Sequence, residues 1–160
     1  MAYTTIDDPS KYFQTALYTG NGGTLSITND GNSNLQPDWI WTKERSGTSG
    51  NQNHTITDSS RGNTKQLFVN LPSADATSSA FVTSFDSDGF SLGDNANINN
   101  NSSTYVAWQW KCNGGTTETA VDESGSNPAN VRQTNTDAGF SIITYTGTGA
   151  TGTIAHGLGV

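Results

Sequence analysis

Side chains able to do chemistry are sparse in this chain of 160 residues, and each has a plainer explanation. Asp86-Ser87-Asp88-Gly89 matches part of a calcium loop, in which carboxylates at alternate positions converge on the ion. The third Asp or Asn before the glycine and the closing glutamate are missing. Asp94 and Asn95 add oxygens nearby, but a simple Asp-Gly turn between two strands is the expectation. Nucleophilic catalysis requires a Ser or Cys beside a base that a third group orients. The two histidines, His54 and His156, stand outside any recognisable nucleophile motif, and His156 belongs to an HGLG turn. Glu44, Glu118 and Glu123 are the only glutamates, so a glycosidase pair would have to draw on aspartates. The single cysteine, Cys112, excludes an internal disulfide and reads as a structural thiol. The expectation is a protein that is not an enzyme and needs no cofactor or metal.

The remaining candidates are aromatic. In Trp39-Ile40-Trp41 the two indoles share one face of a strand, and Val106, Trp108 and Trp110 share a face against Tyr105, Ala107 and Gln109. Burying a large aromatic contributes about 2–3 kcal/mol. With so few aliphatics, Trp39, Trp41, Trp108 and Trp110 are expected to carry much of the core, with a sugar-stacking platform as the functional alternative.

The elements that must position these residues are short. Hydrophobic residues make up 31% and charged residues 13%, with 18 glycines, a composition of strands and turns. Segments FQTALYT, TLSIT, DWIWTK, HTITD, KQLFVNL, FVTSF, GFSLG and STYVAWQWK alternate with turn-forming runs rich in Asn, Asp, Ser and Gly. This pattern predicts an all-β antiparallel sandwich or barrel. A turn of helix at most is expected over Ser73 to Ala80. The net charge of −7 argues against a nucleic-acid partner, which would require a basic face. No long apolar run predicts a membrane span, and the N-terminus MAYTTIDDPSKYF lacks the parts of a signal peptide. Synthesis in a cytoplasm follows. The tripeptides at Asn53, Asn100 and Asn101 fit a glycosylation pattern, but turn formation explains them better.

Phe13–Gly22 (FQTALYTGNG) and Phe140–Gly149 (FSIITYTGTG) repeat Phe, Tyr, Thr, Gly and Gly at a constant offset of 127 positions. That spacing suits a whole small domain rather than a solenoid unit. The expected organisation is an arm over 1–12, a β-sandwich module over 13–112, a linker over 113–138 and the first strands of a second, truncated module over 139–160, within a longer natural protein. Val121 and Val131 are candidates for a short edge strand in the linker. In FSIITYT both faces are part apolar, which predicts a strand covered on both sides.

The opening MAYTTIDDPSKYFQTALYTGNG, then LQPDWIWTKERS, SSRG, FDSDGFSLG, TYVAWQWK and finally GFSIITYTGTGATGTIAHGLGV resemble the repeating modules of bacteriophage tail-fibre and related virion proteins, notably of marine phages and cyanophages. The resemblance implies a concanavalin-type, lectin-like jelly roll and a structural, adhesive role in the virion, at the phage tail. It implies other tail proteins as partners, a homotrimer and contact with host surface glycan. It supplies no catalytic residues. In such a fibre the arm, with Asp7, Asp8 and Tyr12, would dock on the tail; a frayed terminus is the plain alternative. A lectin module and a capsid fibre or decoration protein are the other roles that fit.

Overall fold

The computed structural model describes residues 6–47, 52–119 and 124–159. Val121, Glu123 and the first five residues of the expected arm lie outside that set. The strands in chain order are β1 (Phe13–Thr19), β2 (Leu25–Thr28), β3 (Trp39–Ser46), β4 (Thr55–Asp58), β5 (Lys65–Phe68), β6 (Ala76–Thr77), β7 (Val82–Asp86) and β8 (Gly89–Leu92), then β9 (Thr104–Trp110), β10 (Glu118–Thr119), β11 (Asn130–Asn135) and β12 (Phe140–Tyr145). One helical turn, α1 (Ala96–Asn99), precedes β9. The fold is all-β and every described pairing is antiparallel.

A six-stranded sheet runs in the order β1-β9-β3-β4-β5-β6, and two three-stranded sheets run β2-β8-β7 and β10-β11-β12. The first two enclose the core, in which Ile27, Val82, Phe90 and Leu92 from the smaller sheet meet Ile40 and Ala107 from the larger. Ile98 of α1 closes one end, and Tyr18, Leu25 and Phe85 pack around the cluster. Each fully buried side chain of this size contributes about 1.5–3 kcal/mol. Polar groups line the rest of the inner face, some of them bonded to one another and others, such as the Gln66 amide, without a hydrogen-bond partner. The hydroxyls of Thr42 and Thr55 are paired, and Gln109 Nε2 donates to Asn29 Oδ1 at 2.6 Å.

The burial of β3 and β9 alternates strictly, but with the opposite sense to the sequence expectation. Ile40, Tyr105 and Ala107 are buried, whereas all four tryptophans stand half-buried on the outer face. The indoles therefore do not form the core. The space between the sheets takes smaller side chains, and the bulk of the indoles is accommodated where a third sheet covers only part of the outer face.

Two other expectations change. No helix forms over Ser73 to Ala80; Ala76 and Thr77 pair with Gln66 and Lys65 instead, because a Ser/Thr-rich stretch with no apolar stripe gains more from a ladder. The expected linker 113–138 contains β10 and β11, and Asn130–Asn135 pairs residue for residue with Phe140–Tyr145. Its buried residues are Pro128 and the amides Asn130 and Gln133, with no apolar periodicity. As expected, both faces of β12 are partly covered: Ile142 is buried on one and Ser141 and Ile143 are half-buried on the other, while Tyr145 at the end of the strand is 60% exposed.

The N-terminal segment is tied to the module from Asp8 onward. Asp8 caps a 3₁₀ turn over Pro9–Lys11, and its Oδ2 accepts from Ser33 Oγ at 2.6 Å. Gln14, buried at the start of β1, donates to Ser33 O at 2.7 Å.

Candidate functional site

The outer face of the six-stranded sheet is built by register. Phe13, Trp110, Trp39 and Asp58 align across β1, β9, β3 and β4, and the next row aligns Thr15, Trp108, Trp41, Ile56 and Leu67. Trp41 and Trp108 tilt against each other with centroids 5.5 Å apart. Trp41 Nε1 donates to His54 Nδ1 at 3.2 Å, so the imidazole serves as an acceptor in its neutral form. Burial, with Lys43 nearby, lowers the His54 pKa below its usual value.

One end of this face is roofed by the β10-β11-β12 sheet. Phe140 stacks on Trp110 at 6.0 Å and meets Trp39 edge-on at 6.2 Å. A polar clamp secures the roof. The Asp38 carboxylate, 1% exposed, accepts from Ser59 Oγ and from the backbone N–H groups of Cys112, Gly114 and Gly115. Gln133 Oε1 accepts from the N–H groups of Asn113 and Gly115, while its Nε2 donates to Ser59 and Ser60 hydroxyls. An amide and a carboxylate thus fasten four chain segments at one point, and a full set of partners offsets the cost of burying them. Cys112 lies beneath, its thiol donating to Phe140 O at 3.6 Å. Burial, assisted by Asp38, pushes that thiol up to about 11, which fits an inert structural cysteine.

Between β12 and the outer face of β3–β5 runs a groove of about 520 Å³. Trp39, Leu67 and Tyr145 give it apolar walls, and Asp58 and Arg61 supply its charge. Arg61 Nε and Nη2 each reach Asp58 Oδ2 at 2.6 Å, and Nη1 makes no hydrogen bond, with Asp75 Oδ2 3.9 Å away. A second cavity of about 380 Å³, beside the small sheet, is lined by Thr119, Asn130, Val131, Thr144 and Tyr145 and holds no charged group.

The other sequence candidates are structural in this fold. Asp86 accepts from Ser84 and Ser91 hydroxyls, and Asp88 Oδ1 accepts from Leu35 N, so both carboxylates are engaged by the protein itself. They flank the expected turn, in which Gly89 adopts φ +107° and a Cβ would lie 1.9 Å from Ile27 O. Among the described residues no group of three or more His, Cys, Asp or Glu side chains is placed to hold a metal. His156 Nδ1 accepts from Leu158 N at 3.0 Å within its own turn. Glu118 pairs with Arg132 at 2.8 Å, and Glu44 is buried. Asp7 is exposed and Tyr12 half-buried beside the capped turn. No described helix is long and apolar enough to cross a membrane.

Sequence reasoning found the four tryptophans but missed Asp58, Arg61 and Tyr145. The signal for the first two was local, a carboxylate three positions before an arginine in a turn (D-S-S-R). Nothing local could have brought Tyr145 to them.

A family model matches residues 8–160, nearly the whole chain, and it describes a domain of unknown function, DUF7483. The chain belongs to the DUF7483 family. No curated protein and no solved structure matches it. Its DUF7483 fold must therefore be interpreted from its own geometry, and the outward tryptophans, the roofed groove and the Asp38–Gln133 clamp are the features that require an explanation.

Proposed function

We propose that this DUF7483 chain is a non-catalytic structural module of a virion fibre, at the phage tail, that supports adhesion to the host. The observation that carries the proposal is the packing of β12, a second copy of the β1 sequence, onto the module that β1 opens. Phe140 is held between Trp39 and Trp110, and the Asp38–Gln133 clamp fastens the connection. A joint of this kind transmits force and orientation between consecutive units, which is what an extended fibre requires. The module resemblance of the sequence supports the same role, and with it the finer expectations: a concanavalin-type jelly roll, a homotrimer, other tail proteins as partners, and docking through the segment of Asp7, Asp8 and Tyr12.

Gold-tagged antibody raised against the folded chain and applied to virions purified from cells producing the protein tests the proposal. Gold at the tail is the expected result. Gold over the head would make the chain a capsid fibre or decoration protein, and bare virions would overturn the structural role.

A second role, carbohydrate binding, is favoured by one specific observation. Four tryptophans on a face that is only partly roofed present aromatic rings outward, the arrangement on which sugar rings stack.

A further inference from the structure

We infer that the groove between β12 and the outer face of β3–β5 is a binding site for a neutral saccharide, with Trp39 and Tyr145 as its aromatic walls and the Asp58–Arg61 pair as its polar side. The inference rests on the carbohydrate-binding role and gives it a place. The volume, about 520 Å³, lies in the range of small-ligand sites. Tyr145 stands 60% exposed at the groove, whereas Tyr18, its counterpart in the first copy, is stacked on Tyr105 at 5.1 Å. A large ring left open beside a cavity is a surface for a ligand to cover, and the apolar face of a sugar ring fits it.

The charge of the groove selects among ligands. Asp58 and Arg61 neutralise each other at 2.6 Å, so no net positive charge is left to attract an acidic sugar, and the chain as a whole carries −7. Asp58 is 1% exposed and its oxygens are engaged by Arg61, so it fixes the guanidinium, whose N–H groups suit the hydroxyl oxygens of a sugar. An added peptide strand is the competing occupant, because β12 is the last strand of its sheet. Strand addition depends on several successive backbone pairs. At β12 that edge is obstructed at its start, since Cys112 Sγ already occupies Phe140 O. Alternation along an antiparallel strand turns Phe140, Ile142 and Thr144 to the edge, and Cys112 engages the N–H of Ile142 as well as the carbonyl of Phe140. So short a run beyond Cys112 gives a strand little hold but adds polar groups for hydroxyls.

Titration of the whole chain with neutral tetrasaccharides of glucose, galactose and mannose, followed by calorimetry and tryptophan fluorescence, tests the site. At least one is expected to bind, and Tyr145→Ala to weaken it by about tenfold with an unchanged melting temperature, the loss appropriate to one aromatic stack. Asp58→Asn, compared with wild type at equal fold content by circular dichroism, is expected to weaken the same sugar. Binding that survives Tyr145→Ala but is lost in Trp108→Ala would overturn the groove while keeping the carbohydrate role. Absence of binding by all three sugars would overturn both. Binding of a synthetic peptide of residues 104–111 in place of any sugar would establish strand addition and overturn the saccharide site.

Discussion

The first and second copies of one strand sequence, β1 and β12, meet different surroundings in the same molecule. Tyr18 stacks on Tyr105, meets Phe90 edge-on at 6.3 Å and donates its hydroxyl to Ile98 O at 2.7 Å, and burial raises its pKa well above the ordinary tyrosine value. Tyr145 is 60% exposed. A Cβ on Gly20 would lie 2.3 Å from Asn100 O, whereas one on Gly147 would meet nothing within 4 Å. Yet Gly22 and Gly149 hold nearly equal φ values of +69° and +75°. The repeated letters specify a strand and its turn, and the neighbours decide how much each letter is worth.

The largest test of that contrast is at the tyrosines. Tyr18→Ala is expected to cost about 3 kcal/mol through the cavity it leaves, a drop of roughly 6–12 °C in melting temperature for a domain of this size. Tyr145→Ala is expected to stay within about 0.5 kcal/mol, as at most exposed positions. Calorimetry of both variants decides, and equal losses would mean that Tyr145 is covered in solution. The glycines come next. Gly20→Ala must push apart the backbones of β1 and the 99–103 turn, and overpacking of that kind costs about 1–3 kcal/mol. Gly147→Ala is expected to be neutral or slightly stabilising, by up to about 1 kcal/mol, since it reduces only the freedom of the unfolded chain.

These contrasts also show what could be read in the sequence. The positions of β1 to β5, β7, β8, β9 and β12 were legible because alternation and turn residues are local signals. Which face turns inward was not, for Trp39 and Trp41 compete with Ile40, and Trp108 with Tyr105 and Ala107, on the same strands. The third sheet decides, because Phe140 shelters the indoles of Trp39 and Trp110 from outside. Strand β11 was legible only as a candidate edge strand at Val131; it is the central strand of its sheet, and its fully buried Gln133 is held by four hydrogen bonds to residues 18 to 74 positions away, which no local signal announces. Of the candidate groove, Trp39 was visible as an aromatic position, while its meeting with Arg61 and Tyr145 exists only in three dimensions.

A smaller effect is expected at the phenylalanines that open the two copies, since both touch Trp110, Phe13 at 4.8 Å and Phe140 at 6.0 Å. Phe13 is 39% exposed, but Phe140 also contacts Trp39, and its carbonyl accepts from the buried Cys112 thiol. Phe140→Ala is expected to cost about 1–2 kcal/mol and Phe13→Ala about half as much. The Cys112 thiol reports the difference directly. It should react with a disulfide reagent faster in Phe140→Ala and at the wild-type rate in Phe13→Ala, and equal rates would mean that Phe140 does not hold the roof in place.

The smallest difference lies five residues ahead of each phenylalanine, where Asp8 in the first copy corresponds to Asn135 in the second. Both side chains cap a turn: Asp8 Oδ1 accepts from Ser10 N, and Asn135 Oδ1 from Ala138 N, each at 3.0 Å. Only the aspartate titrates. Donation from the Ser10 and Ser33 hydroxyls favours its ionised form and lowers its pKa below 3.8. A carboxylate with a depressed folded pKa contributes stability above the unfolded value and loses it as pH falls through the folded one. Acid should therefore loosen the first copy's approach and leave the second unaffected. Below about pH 3.8, amide exchange at Ser10 and Ser33 should accelerate while Ala138 stays protected. In Asp8→Asn, which keeps an acceptor but cannot titrate, the acceleration should vanish. Exchange that rose equally at Ser10 and Ala138 would mean that acid acts on the whole fold rather than on this carboxylate, and that the two caps are equivalent despite their chemistry.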